Sequence, residues 1–120
     1  MTLIVDGLHR SIEIEVARRY RQRLLGLIGR QDFVEGQGFL IPRCRSIHMF
    51  FMRFAIDAVF INDRDRVVLL CVGLKPWRTA TCWRARAVLE LPAGGAATLG
   101  IRENSHVPVS YTHLTLPTKA

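Results

Sequence analysis

The stretch that decides the fold is Ala55–Val72, AIDAVFINDRDRVVLLCV. Two apolar, β-branched runs flank Asn62-Asp63-Arg64-Asp65, four turn-forming polar residues, so the segment reads as a β-hairpin. Its first strand, Ala55–Ile61, continues an apolar and aromatic segment that begins at Ser46: SIHMFFMRFAIDAVFI, with Ser46–Phe51 read as a further strand. That segment carries His48, Arg53 and Asp57. Charged groups in core-grade sequence are costly unless paired, hydrogen-bonded or used. It therefore reads as the central strand pair of the domain and the first place to seek a site.

Working outward, the elements are short. Thr2–Val5 precedes the turn signal Asp6-Gly7, and Ile12, Ile14 and Val16 alternate with Glu13 and Glu15. Together they predict an N-terminal hairpin. From Ala17 the period lengthens: Tyr20, Leu24, Leu27 and Ile28 share one face, with arginines on the other, ending near Gly29. This predicts a short amphipathic helix. Phe39–Ile41 and Ala87–Leu91 read as strands, Leu74–Arg84 as irregular, Pro92–Gly100 as a tight turn or one helical turn, and Ile101–Val107 as a terminal strand. The expected fold is mainly β with one or two short helices, a single-domain sandwich or partly closed barrel.

Length and composition fit that size of fold. The chain has 120 residues, 49% hydrophobic and 22% charged, enough for one core. The formal net charge is +7, and Lys75 and Lys119 are the only lysines. The basic surface favours weak association with anions. No secretory leader or stretch of membrane-spanning length is evident, so a cytoplasmic, soluble protein without membrane contact is expected. Cys44, Cys71 and Cys82 lack a CxxC pairing and are expected to be reduced; a Cys44–Cys71 or Cys44–Cys82 bridge is the alternative. Val109–Ala120, VSYTHLTLPTKA, resembles translated read-through of a sequencing adaptor. The domain is therefore expected to span residues 1–108, with 109–120 a non-native tail.

Three motifs then fall in order: GLIGR at Gly26–Arg30, the run from Ile47 through Asp57 to Phe60, and VLELPAG at Val88–Gly94, followed by Gly100-Ile101. In this order they resemble the DUF192 family over about Val16–Val107. Ala55 stands where a proline is common, and Asn104-Ser105 where a Gly-Asp turn is common. The resemblance implies a small, β-rich, single-domain prokaryotic protein. It implies a fold and no activity.

The candidate site residues are His48, Met52, Arg53, Asp57, Trp77 and Glu90. Strand alternation would set His48, Phe50 and Met52 on one face. Asp57 reads first as an internal polar clamp, held by Arg53 or by backbone N–H groups, and second as an acid or base. Glu90 shares a face with Val88, either opening on a pocket or facing solvent at an edge. Arg43, Arg45 and Arg53 would make a pocket anion-friendly, and Trp77 and Trp83 could line it.

No phosphate loop, GxSxG, HExxH or Cys–His arrangement is present, and one His with one Asp is too few ligands for zinc. No metal or cofactor is expected. The favoured reading is a small-ligand or partner-binding module with an Arg/His/Asp-lined concavity, taking a small anionic ligand or a protein partner. Whether the chain is an enzyme stays open: the second reading makes Asp57 and His48 an acid–base pair. The third is weak nucleic-acid binding through Arg18–Arg30, which is disfavoured because a solvated helix face is the simpler account.

Overall fold

A computed structural model describes residues 2–17 and 32–109. The predicted helix beyond Ala17, the GLIGR motif and the whole Arg18–Arg30 run lie outside the described residues, as does 110–120.

The hairpin read from Ala55–Val72 is present. Strands β6 (Ile56–Ile61) and β7 (Val67–Leu74) pair antiparallel around the Asn62–Asp65 turn. The Asn62 Oδ1 accepts the N–H groups of Arg64 and Arg66, both at 2.9 Å, which closes the turn. These strands belong to a five-stranded sheet of order β3-β4-β9-β6-β7, with β3 at Glu13–Val16, β4 at Gln37–Pro42 and β9 at Ala87–Pro92.

Strands β6 and β9 are interior, and all but Pro92 of their residues are buried. Side chains on both faces of such a strand meet protein, which explains continuous apolar runs where a half-exposed strand would alternate.

One expectation is corrected at the N-terminus. Thr2–Val5 (β1) pairs with Leu8–Ser11 (β2), not with the alternating strand. Asp6 and Gly7 both adopt positive φ, 49° and 83°, as a two-residue hairpin requires. The alternating strand β3 instead runs parallel to β4, a pairing across distant sequence.

A second correction concerns Ser46–Ile61, which is not a strand pair. Only Ser46–His48 (β5) is extended before a turn, and it pairs with Thr79–Thr81 (β8), a strand inside the region expected to be irregular. Ile101–Val107 is not a strand either. It follows the short helix α1 (Gly95–Leu99) as irregular chain, anchored by an Arg66–His106 bridge. Val107 donates to the Asp65 carbonyl at 2.7 Å, and Asp6 to the His106 carbonyl at 2.9 Å.

The layers follow. On one face of the sheet, Leu3, Val5, Ile12, Val59, Leu89, Leu91, Ala96 and Val107 pack beneath the β1–β2 ribbon, α1 and the chain after it. Val109 is buried in this cluster too. On the other face, Phe39, Ile41, Ala58, Phe60 and Val88 pack against Ile47, Met49, Met52 and Ala85 around the β5–β8 ribbon. The fold is a single, mainly β domain, sandwich-like, and its sheets are not closed into a barrel.

Candidate functional site

The six sequence candidates separate into buried and exposed groups. Asp57 is fully buried. Its Oδ1 accepts the Gly73 N–H at 2.9 Å, and its Oδ2 accepts those of Gly94 at 3.1 Å and Ala96 at 3.0 Å. Three backbone donors satisfy the carboxylate, tying β6 to β7 and to the turn that opens α1. Exposed Arg53 supplies none of these bonds.

Met52 is buried in the core between the sheet and the β5–β8 ribbon and does not share a surface with His48. The turn that ends β5 breaks the alternation: the Met52 N–H returns to the Met49 carbonyl at 3.3 Å.

Glu90 is 6% exposed. It lies on central strand β9, opposite Phe39 and Ala58, so it is neither an edge residue nor solvent-facing. Among the described residues no hydrogen-bond donor meets its carboxylate, and burial pushes its pKa up to about 7.

His48, Arg53 and Trp77 are exposed. His48 stacks on Phe50 with ring centroids 4.7 Å apart; Phe50 lies 5.9 Å and Phe51 4.9 Å from Trp77. The Phe50 N–H donates to His48 Nδ1 at 3.3 Å. Phe51 is 66% exposed and Trp77 59%.

Both sit in left-handed backbone, φ 64° and 71°. In the 75–78 turn, Pro76 precedes Trp77 at the position that usually selects glycine. The Met49 carbonyl accepts the N–H groups of both Met52 and Trp77, which locks the two turns together. At the other end of the ribbon, Trp83 is 78% exposed.

Seven exposed cations accompany these rings: Arg43, Arg45, Arg53, Lys75, Arg78, Arg84 and Arg86. No Asp or Glu occurs from Gly36 to Ile56 or from Arg66 to Leu89. Phe51 escaped sequence reasoning, and Phe50 and Trp83 were noted there without being counted among the candidate site residues. The signal available was the absence of acidic residues in two segments that each hold aromatics and arginines.

The arrangement does not unite His48 with Asp57. His48 lies on the outer face of the β5–β8 ribbon, whereas Asp57 bonds to α1 on the opposite side of the sheet. Nor does a cleft of about 560 Å³ form the expected Arg/His/Asp-lined concavity: it is walled by Phe33, Phe54, Ala55, Pro92 and Gly94–Gly95, with Asp32 and Glu35 as its charged residues and no Arg or His. Acidic lining disfavours the anionic ligand expected of it.

Among the described residues no three His, Cys, Asp or Glu side chains gather as metal ligands. The three cysteines are free thiols, and burial pushes the Cys71 thiol up. No helix of the described residues is long and apolar enough to cross a membrane.

Comparison with known proteins places this geometry in context. The family model DUF192, described as "Uncharacterized ACR, COG1430", matches residues 1–109. A UPF0127 protein of Pyrococcus furiosus is 37% identical over 98 residues, covering 78% of this chain and 84% of that protein. A UPF0127 protein of Thermococcus gammatolerans is 30% identical over 110 residues, covering 82% and 67%.

Two crystal structures share the fold. One is a protein of unknown function from Novosphingobium aromaticivorans, with TM-score 0.76, 23% identity and coverage of 88% of this chain and 81% of that one. The other, from Sinorhizobium meliloti, is described as a candidate transcription regulator and has TM-score 0.78, 23% identity and 88% coverage of both chains. At that identity the likeness speaks for the fold alone.

Proposed function

The chain belongs to the DUF192 family, and from that premise we propose that it is a binding module whose recognition surface is the β5–β8 ribbon and whose partner is anionic. One observation carries the reading. Seven exposed cations and four exposed aromatic rings gather on one short ribbon and its turns, drawn from two segments that contain no acid. Charge of one sign on a local surface attracts and orients an oppositely charged partner.

The left-handed backbone at Phe51 and Trp77 supports the same reading. Bulky residues in that region cost about 1–2 kcal/mol each, so their retention at exposed tips calls for a use beyond folding. His48, Arg53 and Trp77 keep the ligand-facing role expected of them, while Asp57 and Met52 serve the scaffold.

The reading is tested by titrating inorganic polyphosphate into the parent protein, the Lys75→Glu/Arg78→Glu variant and Arg64→Glu/Arg102→Glu. The second pair makes the same charge change away from the ribbon. Affinity should fall further in the ribbon variant. Equal losses would mean that net charge alone attracts anions.

A further inference from the structure

We propose that the β5–β8 ribbon binds single-stranded nucleic acid, its exposed rings stacking on bases and its arginines holding phosphates. This rests on the reading of the ribbon as an anion-binding surface and adds the class of anion.

The cations come first. Six of the seven are arginine. A guanidinium presents a planar fork that fits phosphate oxygens in pairs and stacks on flat π systems, which an ammonium does not. A site needing only diffuse positive charge has no use for that bias.

The rings come second. Phe50, Phe51 and Trp77 cluster at one end of β8 and Trp83 stands beyond the other, in the turn that follows the strand. Base stacking on such rings is tolerant of sequence and needs bases released from a duplex. Simple polyanions have no face to offer them.

The centre of the ribbon separates nucleic acid from a lipid surface. Between the two aromatic ends lie exposed Thr79 and the hydroxyls of Ser46 and Thr81, 2.8 Å apart. A bilayer receiving both aromatic ends would bury these hydroxyls against acyl chains, at a cost. Sugars, phosphates and base edges accept and donate hydrogen bonds there.

Both tryptophans of the chain are on this ribbon, so intrinsic fluorescence reports on it directly. The experiment titrates oligothymidylate of about 12 nucleotides, within the span of one single-strand site. The same titration is run with a duplex of equal length, inorganic polyphosphate, and phosphatidylcholine–phosphatidylserine vesicles. The expected result is saturable quenching by the single strand and tighter binding of it than of the duplex. Affinity should fall about 50-fold between about 50 and 200 mM salt if four phosphates are neutralised.

Trp77→Gly removes a ring at a position whose backbone suits glycine, so the fold is kept while affinity should drop at least about fivefold. Polyphosphate binding as tightly, with no quenching by the oligonucleotide, would overturn the nucleic-acid assignment and leave the anion reading standing. Preference for duplex or for vesicles would overturn it as well. Binding to none of the four probes would overturn both.

Discussion

Asp57 Oδ1 accepts the backbone N–H of Gly73 at 2.9 Å, across a bulge in the β6–β7 pair. Ile56 faces Leu74 and Ala58 faces Cys71, so Asp57 stands opposite two residues, Val72 and Gly73. The extra residue breaks the ladder, Gly73 turns to φ 64°, and the carboxylate replaces the missing acceptor.

Replacing Asp57 by asparagine should therefore destabilise strongly. An amide supplies one acceptor oxygen and turns its NH₂ toward N–H groups that Oδ1 or Oδ2 now receives. The loss should be about 2–4 kcal/mol, read as a lowered urea midpoint in the absence of any ligand. A change under 1 kcal/mol, on the order of one ordinary hydrogen bond, would contradict the clamp.

Glu90 makes stability depend on pH in the opposite sense to an ordinary surface carboxylate. Its folded pKa, about 7, lies above the 4.5 of an unperturbed glutamate. Between the two the unfolded chain has released the proton and the folded chain still holds it, so stability falls as pH rises. The contribution is complete below pH 4.5 and is lost as pH passes 7, about 3 kcal/mol in all. Urea unfolding of Glu90→Gln at several pH values should show that slope flattened and the variant more stable than the parent at pH 8. An unchanged slope would remove Glu90 as its source.

Gly95 opens α1 where an ordinary side chain does not fit. An added Cβ would stand 3.0 Å from the Cβ of Leu91, an atom fixed to its own backbone. Alanine favours a helix over glycine by about 1 kcal/mol, but overpacking costs about 1–3. Overpacking should win, so Gly95→Ala should lower the thermal midpoint. A raised midpoint would show that α1 can shift away from β9.

At Trp77 the usual order of alanine and glycine should invert. Both substitutions remove the ring, and alanine alone keeps a Cβ in left-handed backbone. Trp77→Gly should be more stable than Trp77→Ala by about 1 kcal/mol in denaturant unfolding. Equal stabilities would mean that the 75–78 turn is not held in this conformation.

Local chemistry made part of this legible. The Asn62–Asp65 turn announced the β6–β7 hairpin, and the cost of a bare carboxylate announced Asp57 as a polar clamp; of the two donor sets it allowed, Arg53 or backbone N–H groups, the second is the one present. What escaped depends on pairings between distant segments. Parallel pairing of β3 with β4 leaves no turn signal. The position of Glu90 follows from strand order, since the same Leu-Glu-Leu reads as an edge on an outer strand and as core on β9. The aromatic and basic surface exists only because β5 meets β8, and neither three-residue strand announces its partner.

The three bonds of Asp57 also bear on the order in which the domain can be completed during synthesis. They reach 16, 37 and 39 residues along the chain. Every described strand has been made once Pro92 emerges, yet a nascent chain halted there would enclose the Asp57 carboxylate with two of its three donors still untranslated. Burying an under-bonded carboxyl group is costly enough to hold the sheet open. The last strands should thus close only when Ala96 arrives, so that completion of the sheet waits for the short helix behind it.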